Sequence, residues 1–225
     1  MPFSLDGRVA LVTGSSTGLG KAVAFSLARS GARVALNYFN NEERAAETLG
    51  EFQAEGLEGV MLRGDVSDES AVNALCGKVI EKLGEIDILV VNATPDQPQM
   101  PIEEFTWEHF QTMIDFFIKS PYLLTRAVLP HMKKNRWGRI INITSEVFQR
   151  SIGNFSAYVS AKGGQIGFTR SMATELAPFN ITVNLVAPGW IPVERHENDS
   201  QEQKDGYREM IPMDRWGVPD DVAGA

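Results

Sequence analysis

Short apolar runs alternate with longer stretches of helical character along the whole chain. The runs occupy residues 9–12, 34–36, 60–62, 86–91, 139–143 and 181–186, and helical patterns between and after them include residues 41–54, 68–83, 106–134 and 156–177. This alternation predicts repeated βαβ units, and therefore a three-layer α/β/α fold around a parallel sheet. Because ligands of such sheets bind at the carboxyl ends of the strands, functional residues are expected just after each apolar run.

The composition is that of a globular protein, and its charge argues against two classes of partner. The 225 residues predict one domain spanning residues 1–225. Asp and Glu number 29 against 21 Lys and Arg, a net charge of −8, so neither nucleic acid nor an anionic membrane is expected as a partner. The single cysteine, Cys76, the absence of a long apolar run and the absence of a signal-peptide pattern predict a cytoplasmic protein. The three histidines have no metal-ligand spacing, and no metal site is expected.

A glycine-rich turn follows the first apolar run and opens a helical pattern. Glycines allow a tight turn and a close approach of the backbone to a phosphate, and a helix N-terminus offers N–H groups to a pyrophosphate. An ordinary strand-to-helix turn is the alternative. The predicted cofactor-binding residues of this turn are Gly14, Ser15, Ser16, Thr17, Gly18, Leu19 and Gly20.

The end of the second run predicts which dinucleotide binds. Asn37 and Tyr38 stand where an acidic residue would hold an unphosphorylated ribose. The missing acid favours NADP(H) over NAD(H), although no arginine follows. Ser15, Ser16 and Asn37 could bind the ribose with or without a 2′-phosphate. After the third run, Asp65 is placed to accept a hydrogen bond from an adenine amino group or to cap the next helix.

A serine, a tyrosine and a lysine make up the candidate catalytic group. Ser145 follows the fifth run, and Tyr158 and Lys162 are four residues apart, on one face of a predicted helix. A neighbouring ammonium favours the phenolate, so Tyr158 could exchange a proton with an alcohol or a carbonyl, while Ser145 holds the same oxygen. A surface tyrosine–lysine pair is the alternative without function.

In combination these motifs resemble those of the short-chain dehydrogenases/reductases. The resemblance implies a Rossmann-like, doubly wound sheet and hydride transfer at a nicotinamide, with Tyr158 as general acid/base, Ser145 as anchor of the substrate oxygen, and Lys162 on the nicotinamide ribose. It adds further cofactor-binding residues: Val66, Asn92, Ala93, Thr94, Pro188, Gly189 and Ile191.

The amino-acid sequences of the second and sixth runs are most similar to those of 3-oxoacyl-carrier-protein reductases and bacterial glucose dehydrogenases. The preferred prediction is an NADPH-dependent reduction of a 3-oxoacyl thioester or another ketone, a small-molecule carbonyl/alcohol pair. A sugar or polyol dehydrogenase is the first alternative. A catalytically impaired nucleotide-binding sensor or partner subunit is the second.

Three positions depart from the family pattern. Thr94 replaces a glycine, Val193 replaces a threonine that binds the nicotinamide carboxamide, and Phe117 aligns with an asparagine of the family's proton relay. A phenyl ring neither donates nor accepts a conventional hydrogen bond, so Phe117 cannot take the place of the asparagine in the proton relay. Cofactor binding is therefore expected to persist, while turnover is slow or tuned to an unusual substrate.

The substrate side and the assembly are predicted more coarsely. A lid is expected at about residues 190–207, with an ordinary surface loop as the alternative. Glycines in the helix that carries Tyr158, together with the interface that this helix forms in members of the family, predict a homodimer or homotetramer. Close packing within the chain is the alternative reason for these glycines. The pattern near the last residues predicts six strands, with the family's usual seventh missing. The expected substrate-lining residues are Asp96, Glu146, Phe148, Phe155 and Trp190, for which core packing is the alternative role of the aromatic ones.

Overall fold

The computed structural model describes residues 4–197 and 199–225. Six strands form one parallel sheet in the order β3-β2-β1-β4-β5-β6. Chain order reverses direction beside β1, so this is the doubly wound arrangement that the sequence predicts, and the predicted fold is confirmed. The strands are β1 Val9–Val12, β2 Arg33–Tyr38, β3 Gly59–Arg63, β4 Ile88–Val91, β5 Gly138–Ile143 and β6 Ile181–Val186.

Helices cover both faces of the sheet. Side chains of successive strand residues point to opposite faces, so Val9 and Leu11 pack in one core cluster and Ala10 and Val12 in another. The first cluster includes side chains of α3, α5 and α7, and the second includes side chains of α1 and α2. The helices are α1 Gly18–Arg29, α2 Glu42–Ala54, α3 Glu69–Leu83, α4 Trp107–Ile114, α5 Ser120–Asn135, α6 Val147–Arg150, α7 Ser156–Leu176, α8 Gln201–Arg208 and α9 Pro219–Ala223.

The long helical pattern at 106–134 contains a turn of different geometry. A π-helical turn, Asp115–Lys119, joins α4 to α5. Turns of this kind widen a helix by one residue and are frequent at functional sites. Here the turn directs Phe117 into the protein, where the side chain is 1% exposed.

Two glycines of α7 make room for side chains of the same chain. A Cβ on Gly163 would lie 2.8 Å from the ring of Phe148, and one on Gly164 would lie 2.6 Å from Ile118 of the π turn. Packing within the chain therefore accounts for both positions without a second subunit.

Four strands deliver segments to one edge of the sheet. The glycine-rich turn follows β1, Asn92 follows β4, Ser145 lies two residues beyond β5, and Pro188 lies two residues beyond β6.

None of the helices within the described ranges is long and apolar enough to cross a membrane.

Candidate active site

The glycine-rich turn is held against β4 by the hydroxyl of Thr13. This oxygen accepts hydrogen bonds from the backbone N–H groups of Asn92, at 2.9 Å, and Ala93, at 3.1 Å. The Asn92 amide donates back to the carbonyl oxygens of Thr13 and Gly14, both at 3.0 Å. Asn92 therefore fixes the turn, and its carboxamide is used within the protein.

Two glycines of the turn adopt a backbone conformation that L side chains disfavour. Gly14 has a φ of +60° and Gly18 a φ of +55°. A Cβ on Gly14 would lie 2.7 Å from the Cα of Ala93, so the turn and the segment after β4 approach closely only because Gly14 has no side chain. Gly18 begins α1, and its empty side-chain position faces Val193 at 3.4 Å.

The side chains of Ser15 and Asn37 form hydrogen bonds within the protein. The Ser15 hydroxyl donates to the Val12 carbonyl at 2.7 Å and accepts from the Asn37 N–H at 2.9 Å. The Asn37 amide accepts from Gly14 at 3.2 Å and donates to the carbonyl of Gly64 at 3.1 Å. Asn37 is 2% exposed and Ser15 fully buried, so the predicted ribose contact of their side chains does not fit this placement.

The remaining turn residues border the N-terminus of α1. Ser16, Thr17 and Leu19 are half-buried, and the Ser16 carbonyl accepts from the Thr48 hydroxyl at 2.9 Å. Gly20 is buried, and a Cβ there would overlap Gly14 and Asn92. The N–H groups of the first helical turn are available for an anion at this end of α1.

A carboxylate from another segment reaches this helix N-terminus. Burial raises the pKa of Glu194, but its own backbone N–H, the Thr17 hydroxyl and the cations Lys21 and Arg44 outweigh burial and lower the pKa below its usual value. The Glu194 carboxylate is therefore stabilised in its charged form at this end of α1. Sequence reasoning missed Glu194, Lys21 and Arg44, since only the fold brings them together.

Asp65 and Val66, which follow the third strand, have different surroundings. The Asp65 carboxylate accepts from the backbone and the hydroxyl of Ser67 at 2.8 and 2.7 Å, which leaves its second oxygen for a ligand. The alternative role predicted for Asp65, as the cap of α3, is wrong: the N-cap is Asp68, which accepts from the Ala71 N–H at 2.8 Å. The Val66 side chain is 3% exposed and packs in the core, so only its backbone faces the site.

The segments after β5 and β6 are joined beside Ser145. The Glu146 N–H donates to the Pro188 carbonyl at 3.1 Å, and the Val147 N–H donates to the Ser145 hydroxyl at 3.4 Å. Ser145 is 8% exposed. The fold thus places the serine and the Pro188-Gly189 turn side by side at the predicted edge of the sheet.

Tyr158 and Lys162 lie one helical turn apart on α7, with their side chains turned inward. They are 8% and 3% exposed, so the alternative of a surface pair does not fit. The Lys162 ammonium lies 5.5 Å from the centre of the Tyr158 ring and donates to the Ile143 carbonyl at 2.8 Å. Lys162 therefore links α7 to the end of β5, close to Ser145.

Phe117 and Gln165 complete the surroundings of the lysine. The ammonium lies 3.8 Å from the centre of the Phe117 ring, and it donates to Gln165 Oε1 at 3.0 Å. The Phe117 ring also meets the Tyr158 ring edge-on, with centres 5.3 Å apart. Sequence reasoning identified Phe117 as a departure but missed Gln165, whose position three residues after Lys162 was the available signal.

The predicted substrate-lining residues fall into two groups. Phe155 is buried and packs against the Tyr158 ring, with centres 4.8 Å apart, which supports core packing for this residue. Phe148 is 46% exposed and Asp96 is exposed. Asp96 belongs to a loop tied together by Gln97, whose amide donates to the Thr94 hydroxyl and to the Pro95 carbonyl.

Glu146 and Trp190 meet through a tyrosine that sequence reasoning did not select. The Tyr207 hydroxyl donates to Glu146 Oε1 at 2.5 Å and accepts from the Trp190 N–H at 2.7 Å. Burial and the Glu146 carboxylate raise the pKa of Tyr207. Trp190 packs edge-on against Tyr207 and Trp216, with ring centres 5.4 and 5.7 Å away, so an aromatic cluster closes this side of the site.

The residues after Trp190 run back towards the glycine-rich turn. Ile191 packs against Gly217, where a Cβ would lie 2.5 Å from Ile191 Cδ1, and Val193 faces Gly18. Gly189 adjoins the Tyr207 hydroxyl so closely that a Cβ there would overlap it. Within residues 4–197 and 199–225, no cluster of three His, Cys, Asp or Glu side chains is suited to a metal ion.

Comparison with known proteins gives concordant matches in sequence. A family model described as short chain dehydrogenase matches residues 8–204. The chain is 38% identical over 221 residues to a 3-oxoacyl-(acyl-carrier-protein) reductase of Synechocystis sp., which covers 98% of this chain and 88% of that protein. It is 37% identical over 223 residues to nodulation protein G of Azospirillum brasilense, with 98% and 89% of the two chains covered.

Solved structures give the same grouping. A proposed gluconate dehydrogenase from Agrobacterium tumefaciens matches with a TM-score of 0.92 at 34% identity, covering 99% of this chain and 88% of that one. A dehydrogenase/reductase from Sinorhizobium meliloti matches with a TM-score of 0.89, also at 34% identity, covering 98% and 86%.

Proposed function

The chain belongs to the short chain dehydrogenase family and is an NAD(P)-dependent oxidoreductase, and from that premise we propose that it reduces 3-oxoacyl thioesters or similar ketones with NADPH. Enzymes of this family act on small molecules and are typically oligomeric. We propose a homodimer or homotetramer here. The observation that carries the proposed chemistry is the inward-facing pair Tyr158 and Lys162, set beside Ser145 at the sheet edge that also holds the glycine-rich turn.

The residues around the turn fit a dinucleotide. Gly18 has no side chain at the start of α1, so the backbone can approach a ligand there, and the helix N-terminus favours a phosphate, which would take the place of the Glu194 carboxylate. Thr94, in place of glycine, is exposed, and its hydroxyl donates to the Pro95 carbonyl within its own loop. The backbone of the turn would hold the pyrophosphate, and the free oxygen of Asp65 would accept from the adenine.

Each proposed catalytic group has one task in the reduction. When bound, the reduced nicotinamide supplies hydride, which forms the new C–H bond at the carbonyl carbon. The Tyr158 hydroxyl gives its proton to the carbonyl oxygen as the C=O π bond breaks, and it is reprotonated from solvent. The Ser145 hydroxyl holds that oxygen and stabilises its developing charge. The Lys162 ammonium favours the phenolate that the step leaves behind.

Charge near the end of β2 supports NADPH over NADH. None of residues 37–41 at the end of β2 is acidic, although Glu42 and Glu43 begin α2, and the fold brings Arg63 to this end of the strand, where its Nε donates to the Phe39 carbonyl at 3.1 Å. Arg44 lies in the first turn of α2, near enough to the Glu194 carboxylate to help lower its pKa. A 2′-phosphate would be attracted by both guanidinium groups. Replacing both arginines by alanine should weaken NADPH binding about tenfold and leave NADH binding unchanged in a fluorescence titration.

In this proposal residues 1–225 act as one nucleotide-binding domain, and residues 190–207 cover the substrate. Asn198 of this range lies outside the described residues. The supporting contact is the Tyr207 hydroxyl, which joins α8 to Glu146 and to the Trp190 backbone. The aromatic cluster offers apolar surface for an acyl chain.

A sugar-acid or polyol oxidation is the second candidate. It is favoured by the structural match to a proposed gluconate dehydrogenase and by the charged pair of Glu146 and Arg150, 2.7 Å apart beside Ser145. Such a substrate would leave its hydride on NAD(P)+ and its hydroxyl proton on Tyr158.

A panel assay separates these functions. NADPH and NADH consumption is followed with acetoacetyl thioesters and simple ketones, and NAD(P)+ reduction with gluconate and polyols. Turnover of the thioester with NADPH, lost in Tyr158→Phe, is the expected result. Turnover of gluconate alone would establish the second candidate. Tight cofactor binding without turnover on the whole panel would instead identify a sensor or partner subunit.

A further inference from the structure

The Lys162 ammonium is buried, and two neutral oxygen atoms accept hydrogen bonds from it. A buried charge is costly unless dipoles or an opposite charge compensate it. Two of the contacts described above are carbonyl oxygens, Ile143 O at 2.8 Å and Gln165 Oε1 at 3.0 Å, and a third is the face of the Phe117 ring. These groups hold the cation without cancelling its charge.

Gln165 is an unusual side chain for its position. It is 1% exposed on the inner side of α7, where an apolar residue would avoid the cost of burying an amide. Its backbone carbonyl accepts from the Thr169 hydroxyl at 2.8 Å, and Thr169 accepts from the Asn142 amide at 3.0 Å. This row of buried polar groups joins the backbone of α7 to β5, the strand that also presents Ile143 to Lys162, and it does not use the side-chain carbonyl of Gln165.

We propose that Gln165 is a positioning residue, which uses its neutral side-chain carbonyl, with the Phe117 ring, to keep the Lys162 ammonium charged and next to Tyr158. The proposal rests on the proposed function, in which Tyr158 is the proton donor. A carboxylate at 165 would hold the lysine equally well but would cancel its field at the phenol. A side chain without an acceptor would release the ammonium or favour its neutral form. Both changes make the Tyr158 phenolate less stable.

Other charged groups lie on α7 and on the elements packed against it. The wild type and the variants share all of these charged groups. The groups contribute to the absolute titration midpoint of Tyr158, but their contribution cancels when the midpoints of two variants are compared. The groups are Glu108, His109, Asp115, Lys119, Arg150, Arg170 and Glu175.

The test is a titration of the phenol in the full chain without cofactor. Phenolate absorbance is recorded for the wild type, Gln165→Met and Gln165→Glu, and the curve of the same protein carrying Tyr158→Phe is subtracted to isolate Tyr158. Met keeps the length and helix propensity of Gln without the acceptor, and Glu keeps the acceptor and adds charge. The midpoint should rise by about one pH unit in both variants, since removing or cancelling a charge at this range has that effect.

Thr169→Val is the matched control. It removes a buried hydroxyl one turn further along α7 that does not touch Lys162, so it should lower stability and leave the Tyr158 midpoint unchanged. A Tyr158 midpoint equal to that of the wild type in either folded Gln165 variant would overturn the proposal. Should one of the two fail to fold, the other carries the test.

Turnover gives a second, separable readout. For an active wild type, Gln165→Met should lower kcat about tenfold with little change in the KM of the carbonyl substrate, because Gln165 acts through Lys162 and Tyr158 and not on that substrate. A wild type without turnover contradicts the proposed function but leaves the titration result valid. Normal turnover with unmoved midpoints contradicts this proposal alone.

Discussion

The contact between Phe117 and Lys162 should stabilise the folded protein measurably. The ammonium lies 3.8 Å from the ring centre, and the two side chains are 1% and 3% exposed. A cation over an aromatic face contributes about 2 kcal/mol when both are desolvated, against 0.5–1 kcal/mol at exposed sites. Phe117→Leu keeps most of the apolar volume but removes the ring, and Lys162→Met removes the charge.

A double-mutant cycle on urea unfolding, at fixed protein concentration, measures the interaction itself. The coupling free energy between Phe117→Leu and Lys162→Met should be about 1–2 kcal/mol, because the single-variant costs of lost packing and lost hydrogen bonds cancel in the cycle. The matched control is Lys21 and Phe25, where the ammonium lies 5.8 Å from the ring centre and the lysine side chain is 27% exposed.

The control pair should couple by about 0.5 kcal/mol or less. A Phe117–Lys162 coupling no larger than that of the control would show that the ring only fills space. In that case the carbonyl acceptors, and not the ring, would help to stabilise the buried ammonium.

Three further outcomes are expected. Tyr207→Phe should raise the KM of the substrate about tenfold and leave kcat nearly unchanged, because it removes a hydrogen bond to the Glu146 carboxylate that holds the proposed lid. The pKa of Tyr207 is raised above the usual phenol value of about 10, so at and below that pH the hydroxyl keeps its proton and the hydrogen bond to Glu146 is intact. The hydrogen bond is lost as the pH rises through the pKa of Tyr207 in the folded protein, and steady-state kinetics in alkaline buffers can follow this loss. Gly14→Ala should cost several kcal/mol in urea unfolding and abolish dinucleotide binding, given a φ of +60° and the close approach of Ala93; near-normal stability would contradict the geometry. Burial raises the pKa of the Cys76 thiol to about 11, so a thiol reagent at pH 8 should label the native chain far more slowly than the unfolded one, and equal rates would contradict that burial.

Several features could be predicted from the sequence because they depend on neighbours along the chain. Alternation of apolar runs and helical patterns indicated a parallel sheet covered by helices on both faces, and the four-residue spacing of Tyr158 and Lys162 placed both on one helix face. The residues after each run also lie at one edge of the sheet, since parallel strands share their carboxyl ends.

Other features depended on partners that are distant in sequence. Asn37 looked free to bind a ribose, but its amide is consumed by Gly14, on the turn after β1, and by Gly64, 27 residues further on. Tyr207 lies 61 residues from Glu146, and no local pattern pairs them.

The sequence by itself determined the fold class and the order of the chemical groups, because these follow from periodicity and from spacings within one helix or turn, and its motifs identified the family by resemblance. Only the tertiary structure decided what each polar side chain is free to do. Phe117 appeared in the sequence as the loss of a hydrogen-bonding group, yet in the fold its ring faces the Lys162 ammonium while Gln165 supplies a carbonyl from the other side. The physical reason is that the cost of burying a charge depends on everything around it, and those surroundings are assembled from α7, β5 and the π turn only when the chain folds.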